Sequence, residues 1–179
     1  MIMVPTLEQP SPLAAFFDYG VRKTLHKAWV RVRAVFPRAR SAGVVTSRYG
    51  VKMRANWGDR TFQYCQAATY GRDLSDFLAA QSGRFVFVDI GANQGLYSLL
   101  AARNPACAAA IAFEPVAATY ALLTENIALN GFTGRIRPVH AAVSLHSGMA
   151  SMTTDSRHSG KASLRDTSSA PAAGEEIRI

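Results

Sequence analysis

The sequence predicts an α/β protein, a doubly wound and mostly parallel sheet with helices between its strands. Three observations lead there. Residues 85–88, FVFV, form a short apolar run of β-branched and aromatic residues, which reads as a strand covered on both faces. Gly91 and Gly95 punctuate the turn that follows, and Leu96, Leu99, Leu100 and Arg103 then recur at helical spacing. The same alternation repeats downstream with short connections, and β-α-β-α-β in that form means parallel strands wound by crossovers.

Taken in chain order, residues 1–11 are a loose start and residues 12–36 carry a helical pattern. Phe17, Val21, Leu25, Ala28, Val32 and Val35 fall near one face of it, and Lys23, Lys27 and Arg31 on another. Such a helix either packs on the domain or rests on an anionic membrane surface or partner. We therefore divide the chain into a basic N-terminal helical extension, residues 1–42, and a main domain, residues 43–179.

Residues 43–66 alternate like strands, with Asn56-Trp57-Gly58-Asp59 supplying turn chemistry between two of them. A hairpin leading to a helix near residues 74–80 is the expectation, and Gln81-Ser82-Gly83 ends that helix. After the glycine turn and its helix, Asn104-Pro105 breaks the chain. A second strand is expected over 109–113, a second helix over 119–129 with Asn130-Gly131 as its left-handed stop, and a third strand over 136–143. Beyond Ser144 the composition turns to Ser, Thr, Gly and Ala. Weak strands are expected at 149–153 and 162–165, a loop at 166–174, and a last strand in EEIRI.

Charge narrows the function classes. Residues 1–60 hold eleven Lys and Arg against three acids, a surplus of eight that equals the net charge of the whole chain. The other 119 residues carry nine of each sign and cancel. A nucleic-acid-binding core carries its own basic face, so no nucleic-acid partner is expected of this one. No run of eighteen apolar residues is present, so no transmembrane helix is implied. The start also lacks the pattern of a secretory signal, and a cytoplasmic location, with peripheral membrane contact through residues 12–40, follows as an expectation. Cys65 and Cys107 read as reduced, packed thiols, and His146 and His158 make no metal-ligand spacing with them, so no metal is expected.

The turn itself carries the chemistry. Asp89 ends the first strand, Glu114 ends the second, and the amides of a helix start between them are free to hold a ligand. Two ligands suit this arrangement, a dinucleotide and S-adenosylmethionine, because both bring ribose hydroxyls that a carboxylate accepts. The dinucleotide fingerprint needs G-x-G-x-x-G, and Gly91-Ala92-Asn93-Gln94-Gly95 lacks the middle glycine. Asp89 would also face two phosphates across a partly dry site. The methyl donor carries a sulfonium and an ammonium instead, which a carboxylate favours. Asn93 is either a ligand contact or the N-cap of the helix, and His140 is a candidate base for a substrate hydroxyl or a structural strand residue.

At these residues the chain resembles a known family. FVDIGANQGLYSLLAARN, AFEPVAATYALLTENIALNG, HAAVS and the later SGKASL segment are similar to the FkbM-type methyltransferases. The resemblance runs from about Arg48 onward and is strongest over residues 87–131. It implies a class I, Rossmann-like, S-adenosylmethionine-dependent enzyme methylating a hydroxyl of a sugar or natural product, with a small molecule or glycan as acceptor. By position it implies that Asp89, Gly91, Ala92, Asn93 and Gly95 hold the methionine part. Glu114 would take the ribose diol with Pro115 beside it, and Ala141 and Ala142 would border the adenine.

Family members continue past the segment matching EEIRI into a strand with a Lys-x-Asp-x-Glu-Gly-type motif, which this sequence lacks. The expectation is a truncated chain, with the sheet incomplete at its C-terminus and one edge of the first core strand bare. Its catalytic residues stay unassigned. A non-catalytic remnant that binds the donor or a partner is the alternative, and the oligomeric state is open.

Overall fold

The computed structural model describes residues 43–164 and 175–179. The basic extension, with its expected helix and its expected membrane contact over residues 12–40, lies outside the described residues, as does the whole of the loop expected at 166–174. Among the described residues no helix is long and apolar enough to cross a membrane.

Strands β1 (Val44–Thr46) and β2 (Lys52–Arg54) form an antiparallel pair in which Val44 faces Arg54 and Thr46 faces Lys52. The turn between them is at residues 47–51, not at Asn56-Trp57-Gly58-Asp59. Those four residues do turn, the Asp59 N–H bonding to the Asn56 carbonyl at 3.0 Å, but they lead into a helix, α1 (Arg60–Ala67), where the sequence suggested another strand. The reason is local: the Asp59 carboxylate accepts the Thr61 N–H at 3.0 Å, capping the helix. Phe62 and Cys65, three apart, then share the buried face. Helix α2 (Arg72–Ala80) follows, close to where it was expected.

The centre is a parallel sheet of three strands in the order β3 (Phe85–Ile90), β4 (Cys107–Phe113), β5 (Ile136–Val139). Helix α3 (Leu96–Arg103) joins β3 to β4, and α4 (Ala117–Leu129) joins β4 to β5. This is the Rossmann-like α/β class that the sequence predicted. Asp89 lies beside Ala112 and Ile90 beside Phe113, so β3 and β4 end together. The third strand is shorter than expected because the backbone leaves the sheet after Val139. Ala142 N–H instead bonds to the Arg178 carbonyl at 2.8 Å. Pro138, which has no N–H to donate, is accommodated on an edge strand.

Strand order fixes where the helices lie. Two right-handed crossovers that step in the same direction put α3 and α4 on one face of the sheet. Leu96, Leu99 and Ala102 of α3 share one buried cluster with Leu123 and Ile127 of α4, with Ala110, Ala112 and Ile136 of the strands, and with Met53 and Phe62. Among the described residues nothing covers the opposite face, although the apolar run suggested cover on both. Val86, Val88 and Ile90 are 58 %, 52 % and 64 % exposed. Among the described residues β3 pairs with β4 alone.

A second sheet, antiparallel in the order β7 (Ser163–Leu164), β6 (Met149–Thr153), β8 (Glu175–Arg178), gathers the weak strands of the C-terminal region. Both cysteines are free and buried. Burial pushes the Cys65 thiol up to about 12, so it stays protonated and packs as an apolar group.

Candidate functional site

The turn after β3 is shaped by three left-handed residues, Gly91 (φ 77°), Asn93 (φ 51°) and Gly95 (φ 89°). Asparagine tolerates that region because its side chain can bond locally, and Asn93 Oδ1 accepts the Gln94 N–H at 3.0 Å. Gly95, not Asn93, is the N-cap of α3. At Gly95 a Cβ would sit 2.6 Å from Leu123 Cδ1, so the left-handed backbone and the close approach of α4 both require glycine.

The amides of the turn are not free. Gly91 and Ala92 both donate to the Phe113 carbonyl, at 3.0 and 2.8 Å. Asn93 N–H donates to Glu114 Oε2 at 2.8 Å, and Gly95 N–H to the Ala92 carbonyl at 2.8 Å. With Gln94 bonded to Asn93, every amide from Gly91 to Gly95 has a partner within the chain. This corrects the expectation of an open amide cradle: the turn is docked onto the end of β4 instead.

Glu114 is held from two sides. Its Oε2 takes the Asn93 N–H, and its Oε1 takes the Val116 N–H at 3.0 Å. Burial pushes its carboxyl above the ordinary 4.5, and the Val116 and Asn93 amides oppose that shift. Each oxygen keeps a second lone pair for a ligand hydroxyl.

These residues line a cavity of about 430 Å³ at the carboxyl ends of β3 and β4. Gly91, Ala92, Asn93, Glu114 and Pro115 of the predicted site meet there, joined by Gln94, Leu96 and Tyr97. Its other walls come from α1, through Thr61, Tyr64 and Cys65, and from the C-terminal region, through Met152, His158, Ser159, Gly160 and Ala162. No Lys or Arg lies among these lining residues.

Four predicted residues lie elsewhere. Asp89 is buried behind the turn, where its Oδ2 accepts the Ser98 hydroxyl at 2.6 Å. Burial raises its pKa, and hydrogen bonds from Ser98 oppose the rise. It serves the first turn of α3, whose cap residue has no side chain. Gly95 packs against Leu123, while Ala141 is buried and Ala142 pairs with β8, neither among the residues lining the cavity. His140 is exposed, stacked on Tyr120 with ring centroids 4.6 Å apart, and its Nε2 is 3.0 Å from the Pro115 carbonyl.

Sequence reasoning missed several residues here. His158 and Ser159 read as part of a polar tail, and Asp59 read as a turn residue. Asn126, read as a helix-end residue, is fully buried: it donates to the Gln94 carbonyl at 2.9 Å and accepts the Arg54 N–H at 2.7 Å. The one local signal was Asp59 two residues before Thr61 and ahead of the Phe62/Cys65 spacing, which is a helix start.

No family model matches the chain, and no curated protein sequence matches it. Among solved structures, the chain is similar over 40 % of its length to a SAM-dependent methyltransferase from Agrobacterium tumefaciens, with 19 % identity, a TM-score of 0.34 and 22 % of that chain covered. It is similar over 57 % of its length to Trm5 from Methanocaldococcus jannaschii in complex with adenosine, with 19 % identity, a TM-score of 0.41 and 30 % of that chain covered. A complex of aTrm5 with tRNALeu gives 20 % identity and a TM-score of 0.44, covering 58 % of this chain and 29 % of that one. The chain thus spans less than a third of each of these proteins. At these scores the likeness carries no functional information.

Proposed function

We propose that this chain binds S-adenosylmethionine in the cavity at the ends of β3 and β4, as the donor-binding part of an FkbM-type O-methyltransferase. The observation that carries the reading is the pairing of a cavity-lining carboxylate with a closed turn. Glu114 lines the cavity, while the amides that would cradle a pyrophosphate are already bonded within the chain. With no Lys or Arg on the described lining, a dinucleotide's phosphates would face Glu114 with no cation or free turn amide to offset the repulsion. A cationic ligand bearing a ribose diol meets no such conflict.

In this reading Glu114 accepts the ribose hydroxyls with Pro115 beside it, and Gly91, Ala92 and Asn93 form the floor. Gly95 keeps that floor in place through its contact with Leu123. Asp89 supplies negative charge behind the turn, toward the methionine end, while holding α3 through Ser98. Ala141 and Ala142 are assigned to the adenine border by the family resemblance. The bound donor would supply an electrophilic methyl on sulfur. The chain's share is to orient it and exclude water, which accounts for much of the rate in such transfers. The acceptor class, a hydroxyl of a small molecule or glycan, rests on the resemblance over residues 87–131.

Calorimetric titration of the full chain with S-adenosylhomocysteine and, separately, with NADH tests this. Saturable binding of the former alone is expected. Binding of NADH in its place would overturn the ligand.

A further inference from the structure

One wall of the cavity is held by a side chain that does not line it. Asp59 is 1 % exposed and accepts four hydrogen bonds from three parts of the chain. Its Oδ1 takes the Thr61 N–H and the Ser159 N–H, both at 3.0 Å. Its Oδ2 takes the Gln94 side-chain amide at 2.5 Å and the Ser159 hydroxyl at 2.6 Å. The Ser159 oxygen in turn accepts from Asn93 Nδ2 at 3.0 Å. Around this centre Arg60 N–H bonds to the Arg157 carbonyl at 2.9 Å, and Gly160 N–H to Thr61 Oγ1 at 2.9 Å. The start of α1, the glycine turn and residues 157–160 are therefore fastened at one carboxylate.

What they fasten is the site. Thr61, Asn93, Gln94, His158, Ser159 and Gly160 all line the cavity, and Asp59 does not. Two atoms of this wall, Gln94 Oε1 and His158 Nδ1, are buried without a hydrogen-bond partner. Unpaired buried polar atoms are costly and cluster where a structure awaits a ligand or water.

We propose that Asp59 is the positioning residue of the donor site, holding residues 157–161 in place as the wall that closes on the bound ligand. The proposal rests on the donor reading given above. A carboxylate is required because all four partners donate. An asparagine of the same shape has one accepting oxygen, and its NH2 would oppose the Gln94 amide and take the Ser159 hydroxyl only as an acceptor. Removing Asp59 therefore loosens the wall without deleting a ligand contact.

Arg157 and Lys161 flank the fastened residues, so trypsin reports on the wall directly. Asp59→Asn and Ser159→Ala would be compared with the full-length wild type by tryptic cleavage at those two positions, without and with S-adenosylhomocysteine, and by calorimetry with the same compound. Faster cleavage is expected in both variants, with about ten- to hundredfold weaker binding for Asp59→Asn. In the double variant the loss should fall short of the sum of the two single losses, because the Ser159 hydroxyl bonds to the Asp59 carboxylate. Should Asp59→Asn fail to fold, Ser159→Ala decides, since Ser159 lies outside the hydrophobic core cluster and its backbone bond to Asp59 is kept. Wild-type cleavage rates and affinity in folded variants would overturn the proposal. Should the wild type bind no S-adenosylhomocysteine, the donor reading falls, while cleavage of the ligand-free proteins still decides whether Asp59 holds the wall.

Discussion

Strand β3 has two faces that differ in everything but their backbone. On the helix side, Phe87 packs against the core and Asp89 is buried on Ser98. On the other side Val86, Val88 and Ile90 are more than half exposed. Because side chains alternate along a strand, one residue of register separates the buried core from exposed apolar surface. A β-branched residue alone does not say which face it serves. The position of the crossover helices does.

The largest effect should come from emptying the helix face. Leu123 is fully buried, packs in the main core and fills the space beside Gly95. Leu123→Ala should cost about 2–5 kcal/mol by urea denaturation. A cost below 1 kcal/mol would mean that α4 is not packed on the sheet as described.

Gly95→Ala should follow at about 1–3 kcal/mol, since it forces a left-handed alanine against Leu123 Cδ1. The double variant Gly95→Ala/Leu123→Ala should lose less than the two single losses together, because the smaller side chain makes room. Strict additivity would show that the contact is not the cause.

On the open face, Val88→Thr should change stability by less than about 0.5 kcal/mol, and it should reduce self-association measured by sedimentation. A loss comparable with that of Leu123→Ala would show that something covers this face in solution.

The smallest effect concerns pH. Burial raises the carboxyl of Asp89 in the folded chain, so the folded state takes up a proton more readily than the unfolded one. The resulting contribution to stability is complete below the unfolded pKa and is lost as pH rises through the raised folded value. Asp89→Asn should therefore gain on the wild type in thermal midpoint as pH goes from acid toward neutral. The opposite slope would mean that Ser98 outweighs burial.

The contrast also explains what the sequence could and could not convey. The glycine turn was legible because its cause is local: Gly91, Asn93 and Gly95 each need a left-handed backbone within five residues. Helices α3 and α4 and strand β4 were legible from periodicity. The coverage of β3 was not, because FVFV reads alike whether one face or both are packed. Helix α1 was obscured by alternation in residues 60–66, which contact with the core overrode. The site divides the same way. Glu114 follows from its place at a strand end, whereas Asp59 meets Ser159 across a hundred residues, and no local pattern encodes that contact. The turn's closed amides were also hidden, since their partners at Phe113 and Glu114 are twenty or more residues away.

The central claim is that Glu114 reads the ribose of a bound methyl donor, and a double-mutant cycle with the ligand tests it most directly. S-Adenosylhomocysteine and its 2′-deoxy analogue would be titrated into the wild type and Glu114→Gln. The account predicts that deleting the hydroxyl costs the wild type about tenfold in affinity and costs the variant much less, because the carboxylate that accepts it is gone. An equal loss in both proteins would place the ribose away from Glu114 and contradict the account.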